Sequence, residues 1–200
     1  LIVTVISGTE RLNLSTAEVL FVDAQPEGMA ILTEMFAGFG VHTPRRCGSA
    51  EEAMVMVKER EFDLLVVDNA LPAMDGYDFI RWLRRAGLAP NSFAPAILLT
   101  GHTRASDITK GRDAGANFVI RKPAPPLVML NRILWISKTG RPFVESEGYC
   151  GPDRRFKSLG PPAGAKGRRH DDLSVELGEA TTPNMDQASI DALLQPKRAV

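Results

Sequence analysis

The stretch FDLLVVDNALPAMDG, residues 62–76, decides the fold. A charged run (Lys58, Glu59, Arg60, Glu61) ends just before it, and a short apolar run rich in β-branched residues occupies 64–67. Apolar on both faces, that run reads as a strand buried in a parallel sheet. Asp68 follows at once. It therefore sits at the carboxyl end of a central strand, where open α/β sheets place their chemistry. Leu71-Pro72 turns the chain, and Asp75-Gly76 starts the next helix. A carboxylate in that place serves as a nucleophile, a metal ligand, or both; a lone Asp after a strand would be an ordinary loop cap.

Outward from this stretch, strand and helix signals alternate five times. Residues 19–23 form a second buried strand, again ending in Asp, and Pro26 suits the first turn of a helix carrying Met29, Leu32, Met35, Phe36 and Phe39 at helical spacing. Residues 41–47 read as a short strand. Ser49 with Glu52 three residues on makes a capping box, and Ala53, Met54 and Val57 give that helix its inner face. Residues 77–85 form a helix through Phe79, Ile80 and Leu83. Residues 96–100 are a strand, 104–114 a polar helix, and 117–121 a strand ending in Lys122-Pro123. The helix over 127–136 turns Leu127, Leu130, Ile133 and Leu134 inward. This alternation predicts an α/β fold, a doubly wound five-stranded parallel sheet of order 2-1-3-4-5, spanning residues 17–139. Residues 1–16 fit no element of it and read as an N-terminal extension.

The run "hydrophobic strand, Asp68, then Leu-Pro-x-Met-Asp-Gly" resembles the phosphoacceptor loop of CheY-like receiver domains, the input modules of bacterial response regulators. Thr100 after its strand and the Lys122-Pro123 pair match the same pattern in order. The resemblance implies a role at each strand end: Asp68 as phosphoacceptor, Asp23 as metal-site acid, Thr100 as the sensing hydroxyl and Lys122 as the cation that pairs with the product. It also implies Mg²⁺ held by Asp23, Asp68 and the backbone carbonyl of Ala70. Two departures matter. Receivers usually carry two adjacent acids after the first strand; here Ala24 replaces the second, which weakens a Mg²⁺ site that depends on few protein oxygens. An aromatic usually stands three residues before the Lys; here it is Val119, which cannot swing inward, while Phe118 faces the other side of the strand.

The bulk composition is that of an ordinary globular chain, with 24 basic and 24 acidic residues, so net charge points to no class of partner. Cys47 and Cys150 have no metal-ligand spacing and read as two reduced thiols in a cytoplasmic protein. No apolar run is long enough for a membrane segment. The first residue is Leu, not Met, which points to a trimmed, alternative or misplaced start.

From residue 140 the texture changes to Gly, Pro, Ser and blocked charge. A basic block occupies 152–170 and an acidic block 171–191, and this 140–200 tail is expected to be largely disordered. Within it, Asp153, Arg154 and Arg155, flanked by Tyr149 and Phe156, offer forks for phosphate and guanine edges and rings for stacking. The segment resembles the arginine-rich extension of CheY-like cyclic di-GMP effectors that act on the flagellar motor. Residues 186–194 suggest a short amphipathic helix resembling the N-terminal peptide of flagellar switch proteins. No DNA-binding domain is expected, and the chain reads as a signalling protein rather than an enzyme. The first reading is a stand-alone response regulator of a phosphorelay. It would take phosphoryl from a histidine kinase or phosphotransfer protein onto Asp68 and act on an unidentified output protein. The alternative is a cyclic di-GMP effector on a degenerate receiver scaffold, acting on a flagellar motor component.

Overall fold

The computed structural model describes residues 3–6, 9–12, 14–102, 104–154 and 186–189 of the 200-residue chain. It opens on two short strands, β1 (Val3–Ile6) and β2 (Thr9–Leu12), paired antiparallel as a hairpin. Leu14, just beyond, is 1% exposed and lies in the core beside Phe36 and Phe21, with its N–H bonded to the carbonyl of Phe39 at 3.0 Å. The expected extension over 1–16 thus contains a hairpin of its own, separate from the five-stranded sheet, and one core residue, Leu14. One leucine in a polar context gives no periodicity, so nothing local announced it.

The central sheet contains β3 (Val19–Val22), β4 (Arg45–Cys47), β5 (Leu64–Asp68), β6 (Ala96–Thr100) and β7 (Phe118–Arg121). Their order is β4-β3-β5-β6-β7, all parallel, which is the predicted 2-1-3-4-5 arrangement. Helices α1 (Pro26–Gly38), α2 (Ala50–Glu59), α3 (Gly76–Arg85), α4 (Ala105–Ala114) and α5 (Pro126–Lys138) connect and cover it. Side chains alternate between two cores. Leu20, Val22, Leu65, Val67, Leu98 and Val119 face α2, α3 and α4. Val19, Phe21, Leu64, Val66, Ile97 and Ile120 face α1 and α5 through Leu32, Phe36, Met129 and Ile133. Burial on both faces explains why these strands read as continuous apolar runs.

Local chemistry sets the helix starts. Ser49 accepts from the Glu52 N–H at 3.2 Å, while the Glu52 carboxylate reaches back to the N–H of Gly48 at 2.9 Å. Asp75 caps α3 by accepting from the Asp78 N–H at 2.8 Å. The second strand is shorter than 41–47; only Arg45–Cys47 pairs, and Val41 packs into the core instead. In α5, Leu127 is 66% exposed, and the inward row is Met129, Ile133 and Leu134. Leu127 lies in the first turn, right after Pro126.

The largest correction concerns the chain after residue 139. β8 (Phe143–Glu145) and β9 (Cys150–Pro152) form an antiparallel hairpin. It closes on the end of α3. Phe143 meets Phe93 edge-on at 4.9 Å, and the Arg84 guanidinium lies 5.3 Å from the Phe143 ring. The Cys150 thiol donates to the Arg84 carbonyl at 3.0 Å. Gly115, at φ 95°, and Gly151 let two backbones touch, since a Cβ on Gly151 would stand 2.8 Å from the Gly115 Cα. The folded unit therefore continues to Arg154. Of the predicted helix over 186–194, residues 187–189 are helical, capped by Asp186, which accepts from the Ser189 N–H at 2.9 Å. The rest of it, and residues 155–185 of the charged blocks, lie outside the described residues.

Candidate functional site

Parallel strands in register bring their carboxyl ends side by side. Asp68 lies opposite Leu99, and Thr100 opposite Arg121, so the residues that end β3, β5, β6 and β7 share one edge of the sheet. Asp23 follows β3 and is 3% exposed; Asp68 ends β5 and is 2% exposed. Buried carboxylates need partners. For Asp23, Oδ1 accepts from the Gln25 N–H at 2.8 Å and Oδ2 accepts from Lys122 Nζ at 2.8 Å. Lys122 stands just past β7, where its N–H donates to the Thr100 carbonyl at 2.8 Å. Its ammonium also lies 2.8 Å from Asp68 Oδ2. The direction of approach leaves that buried oxygen without a hydrogen bond. Asp68 thus keeps a carboxylate oxygen that is charge-compensated but not engaged as an acceptor.

The electrostatics of the cluster centre on Lys122. Burial alone would push its pKa down, but its hydrogen bond to Asp23 and the charges of Asp23 and Asp68 outweigh this and raise it above the ordinary lysine value. One cation against two carboxylates leaves the cluster with net negative charge. Thr100, 1% exposed, donates from Oγ1 to the His102 carbonyl at 3.0 Å and accepts from the His102 N–H at 3.1 Å.

Three further residues shape the site without a sequence signal strong enough to single them out. A Cβ on Gly28 would overlap Asp23 Oδ2 and stand 3.0 Å from Asp23 Cγ. A Cβ on Gly76 would overlap the Asp68 carbonyl oxygen and stand 2.9 Å from the Asn69 Cα. Both helices can therefore begin against the carboxylate cluster only with glycine at these positions. A glycine in a first helical turn, where it disfavours helix, is the one hint a sequence carries of Gly28. The third is Tyr77, buried beside Thr100. Between Asp68 and α3 the loop makes a three-residue turn, with the Met74 N–H bonded to the Pro72 carbonyl at 2.7 Å and Ala73 at φ 62°. Ala70, two residues past Asp68, is exposed in this loop, and Ala24 is exposed beside Asp23.

The geometry now matches what the residues suggested: Asp23, Asp68, Thr100 and Lys122 meet at one place. The response regulator receiver domain profile matches residues 19–134. The chain belongs to the response regulator receiver domain family. As a receiver it is 32% identical over 115 residues to the DNA-binding response regulator MtrA of Mycolicibacterium smegmatis, covering 58% of this chain and 48% of that protein. The chain thus spans about half the length of the curated relatives it matches. A putative response regulator from Chloroflexus aurantiacus J-10-fl is 29% identical, with a TM-score of 0.57 covering 62% of this chain and 98% of that one. The chemotaxis protein CheY4 of Vibrio cholerae shares the fold at 24% identity, with a TM-score of 0.54 covering 59% and 96%. The receiver is therefore CheY-like, a module of two-component systems.

Asp153 and Arg154 are not part of this cluster. They follow β9, where Arg154 pairs with Asp113 of α4 at 2.8 Å and stacks on the Tyr149 ring at 3.8 Å. Arg155 lies outside the described residues. The expectation of a largely disordered tail from residue 140 is corrected for residues 149–154, which are folded onto the receiver. Among the described residues there is no group of three or more His, Cys, Asp and Glu side chains suited to a metal. No helix among them is long and apolar enough to cross a membrane.

Proposed function

We propose that this receiver accepts a phosphoryl group on Asp68 from a histidine kinase or phosphotransfer protein and acts by protein–protein contact in the cytoplasm of a bacterium. The observation that carries the reading is the Lys122 ammonium, 2.8 Å from Oδ2 of both Asp23 and Asp68, with the Asp68 oxygen left without a hydrogen bond. In this reading the carboxylate oxygen of Asp68 attacks phosphorus as the donor's phosphorus–nitrogen bond breaks, and the leaving imidazole keeps that electron pair. The product adds about −1.5 to −2 charges at neutral pH by analogy with other phosphorylated side chains. Lys122 is placed to offset part of that charge, and the Thr100 hydroxyl is the donor available to a new phosphoryl oxygen.

A divalent cation fits the donor set, because Mg²⁺ is commonly bound by one or two carboxylates together with waters and substrate phosphates. Asp23, Asp68 and the Ala70 carbonyl would hold Mg²⁺, which would supply charge compensation on the phosphoryl oxygens. With Ala24 in place of a second acid, and Lys122 already on the two carboxylates, binding is expected to be weak.

The test is phosphorylation by a small-molecule donor, followed by mass spectrometry across a Mg²⁺ titration. One phosphoryl group should appear, rise with Mg²⁺ and vanish in Asp68→Asn. No label at saturating Mg²⁺, or label surviving Asp68→Asn, would overturn the reading. The cyclic di-GMP alternative on Asp153, Arg154 and Arg155 gains no observation in its favour, since Arg154 is committed to Asp113 and Tyr149.

A further inference from the structure

β7 is the last strand of the five-stranded sheet, so one of its edges pairs with β6 and the other is free. Lys122, just past it, turns its N–H inward to the Thr100 carbonyl at 2.8 Å. Successive N–H groups of an extended chain alternate in direction, so the N–H of Arg121 faces the free edge. An unpaired donor on a sheet edge is a template for further pairing. Here the chain itself takes it. The Gln187 side-chain oxygen, 66 residues further along, accepts from the Arg121 N–H at 3.2 Å.

Gln187 belongs to a segment with its own start signal. Asp186 caps it, accepting from the Ser189 N–H at 2.9 Å, and residues 187–189 are helical. Gln187 and Ser189 are half-buried, whereas Asp186 and Ala188 are exposed, so one side of the segment is covered. Carried on at helical spacing, the sequence places Ile190 at i+3 and Leu194 at i+7 from Gln187, on the face that Gln187 turns to β7. The receiver offers an apolar counterpart. Leu127, in the first turn of α5, is the most exposed large hydrophobic side chain among the described residues, at 66%. It follows Arg121 by six residues in the chain.

We propose that the 186–194 segment is an intramolecular ligand of the receiver, held to the β7 edge by Gln187 and to Leu127 by Ile190 and Leu194, and that phosphorylation of Asp68 releases it. The docking stands on the contacts above; the release rests on the phosphotransfer reading. Two features tie the dock to the site. Arg121 shares a peptide bond with Lys122, whose ammonium lies 2.8 Å from Oδ2 of both Asp23 and Asp68. Redirecting that ammonium onto a phosphoryl group therefore pulls on the strand end to which Gln187 is bonded. The segment also carries Asp186 and Asp191 and no basic residue. A phosphoryl group adds about −1.5 to −2 charges at neutral pH, so like charge then opposes the docked segment. By linkage, a segment released by phosphorylation must, while docked, disfavour the phosphorylated state by the same factor.

Amide exchange of the full chain, read residue by residue by NMR, tests both parts. Gln187→Ala should quicken exchange at Arg121 by about fivefold, the worth of one ordinary hydrogen bond. Ile190→Asp combined with Leu194→Asp should do the same and shift the Leu127 methyl resonances. Arg121 exchange unchanged in either variant, or Leu127 methyls unmoved in the second, overturns the docking. With acetyl phosphate and Mg²⁺, Arg121 exchange in wild type should rise to the Gln187→Ala level, and in Asp68→Asn it should stay low. A phosphoryl mass increment with Arg121 exchange unchanged overturns the release alone. An absent mass increment overturns the phosphotransfer reading and the release with it, while the docking is still decided by the two variants.

Discussion

Lys122 donates a hydrogen bond at 2.8 Å to Oδ2 of Asp23, a residue 99 positions away whose side chain is wholly buried. The ammonium therefore occupies ground that a divalent cation would share. Lys122→Met should tighten Mg²⁺ binding while destabilising the metal-free protein by about 3 kcal/mol, since two buried carboxylates lose their counter-charge. Ala24→Asp should also tighten Mg²⁺, by about tenfold or 1.4 kcal/mol, by adding a carboxylate oxygen at an exposed neighbouring position. Calorimetric Mg²⁺ titration and urea unfolding of the two variants check both; unchanged affinity in both would place the cation elsewhere.

Glycines in the same helix should respond oppositely to alanine. Gly38, at the end of α1, has open space around it, so Gly38→Ala should stabilise by about 0.5–1 kcal/mol through helix propensity. Gly28→Ala gains the same propensity but drives a methyl group into the Asp23 carboxylate. It should lose about 1–3 kcal/mol and weaken Mg²⁺ binding as Asp23 is displaced. Urea midpoints of the two variants give the comparison directly.

Arg84 is the anchor of the C-terminal hairpin. It is 3% exposed, donates to the carbonyls of Gly115, Ser92 and Ala94 at 3.0, 3.0 and 2.7 Å, and lies under the Phe143 ring. Burial lowers its pKa to about 10, which still leaves it charged at neutral pH. Arg84→Ala should cost about 3 kcal/mol or more, because three buried carbonyls lose a charged donor. It should also raise amide exchange across residues 143–152. Arg154→Ala removes only a part-exposed ion pair and a ring contact, and should cost about 1 kcal/mol or less.

Alkaline pH should unfold this receiver earlier than its carboxylates alone would suggest. Burial pushes the Cys47 thiol up to about 12 and raises that of Cys150. In the unfolded chain these thiols ionise near pH ~8.5. Above that pH the unfolded state holds fewer protons than the fold, so stability falls as pH rises. Cys47 contributes a slope of about 1.4 kcal/mol per pH unit between its two values, and Cys150 adds to it in the same direction. Urea midpoints should decline from about pH 9, and the Cys47→Ala, Cys150→Ala double variant should move the onset to about pH 10, where Tyr77 takes over. The Lys122 contribution has the same sign: its pKa is raised in the fold, so its stabilisation is complete below about pH 10.4 and lost only above its folded value.

The sequence by itself determined the sheet and the identity of the cluster. β3, β5, β6 and β7 are buried on both faces, so each is written as an uninterrupted apolar run, and the residue that ends the run is readable as a site residue. That is why Asp23, Asp68, Thr100 and Lys122 were legible. Tertiary structure alone decided what those residues touch. The placement of Lys122 between two carboxylates depends on strand register, which no single segment encodes. The 143–152 hairpin has strands of three residues, too short for a period of two to show, and its partners Arg84, Phe93 and Gly115 lie 28 residues or more away in the chain. Short elements stabilised by distant side chains leave no local pattern, whereas long buried strands must.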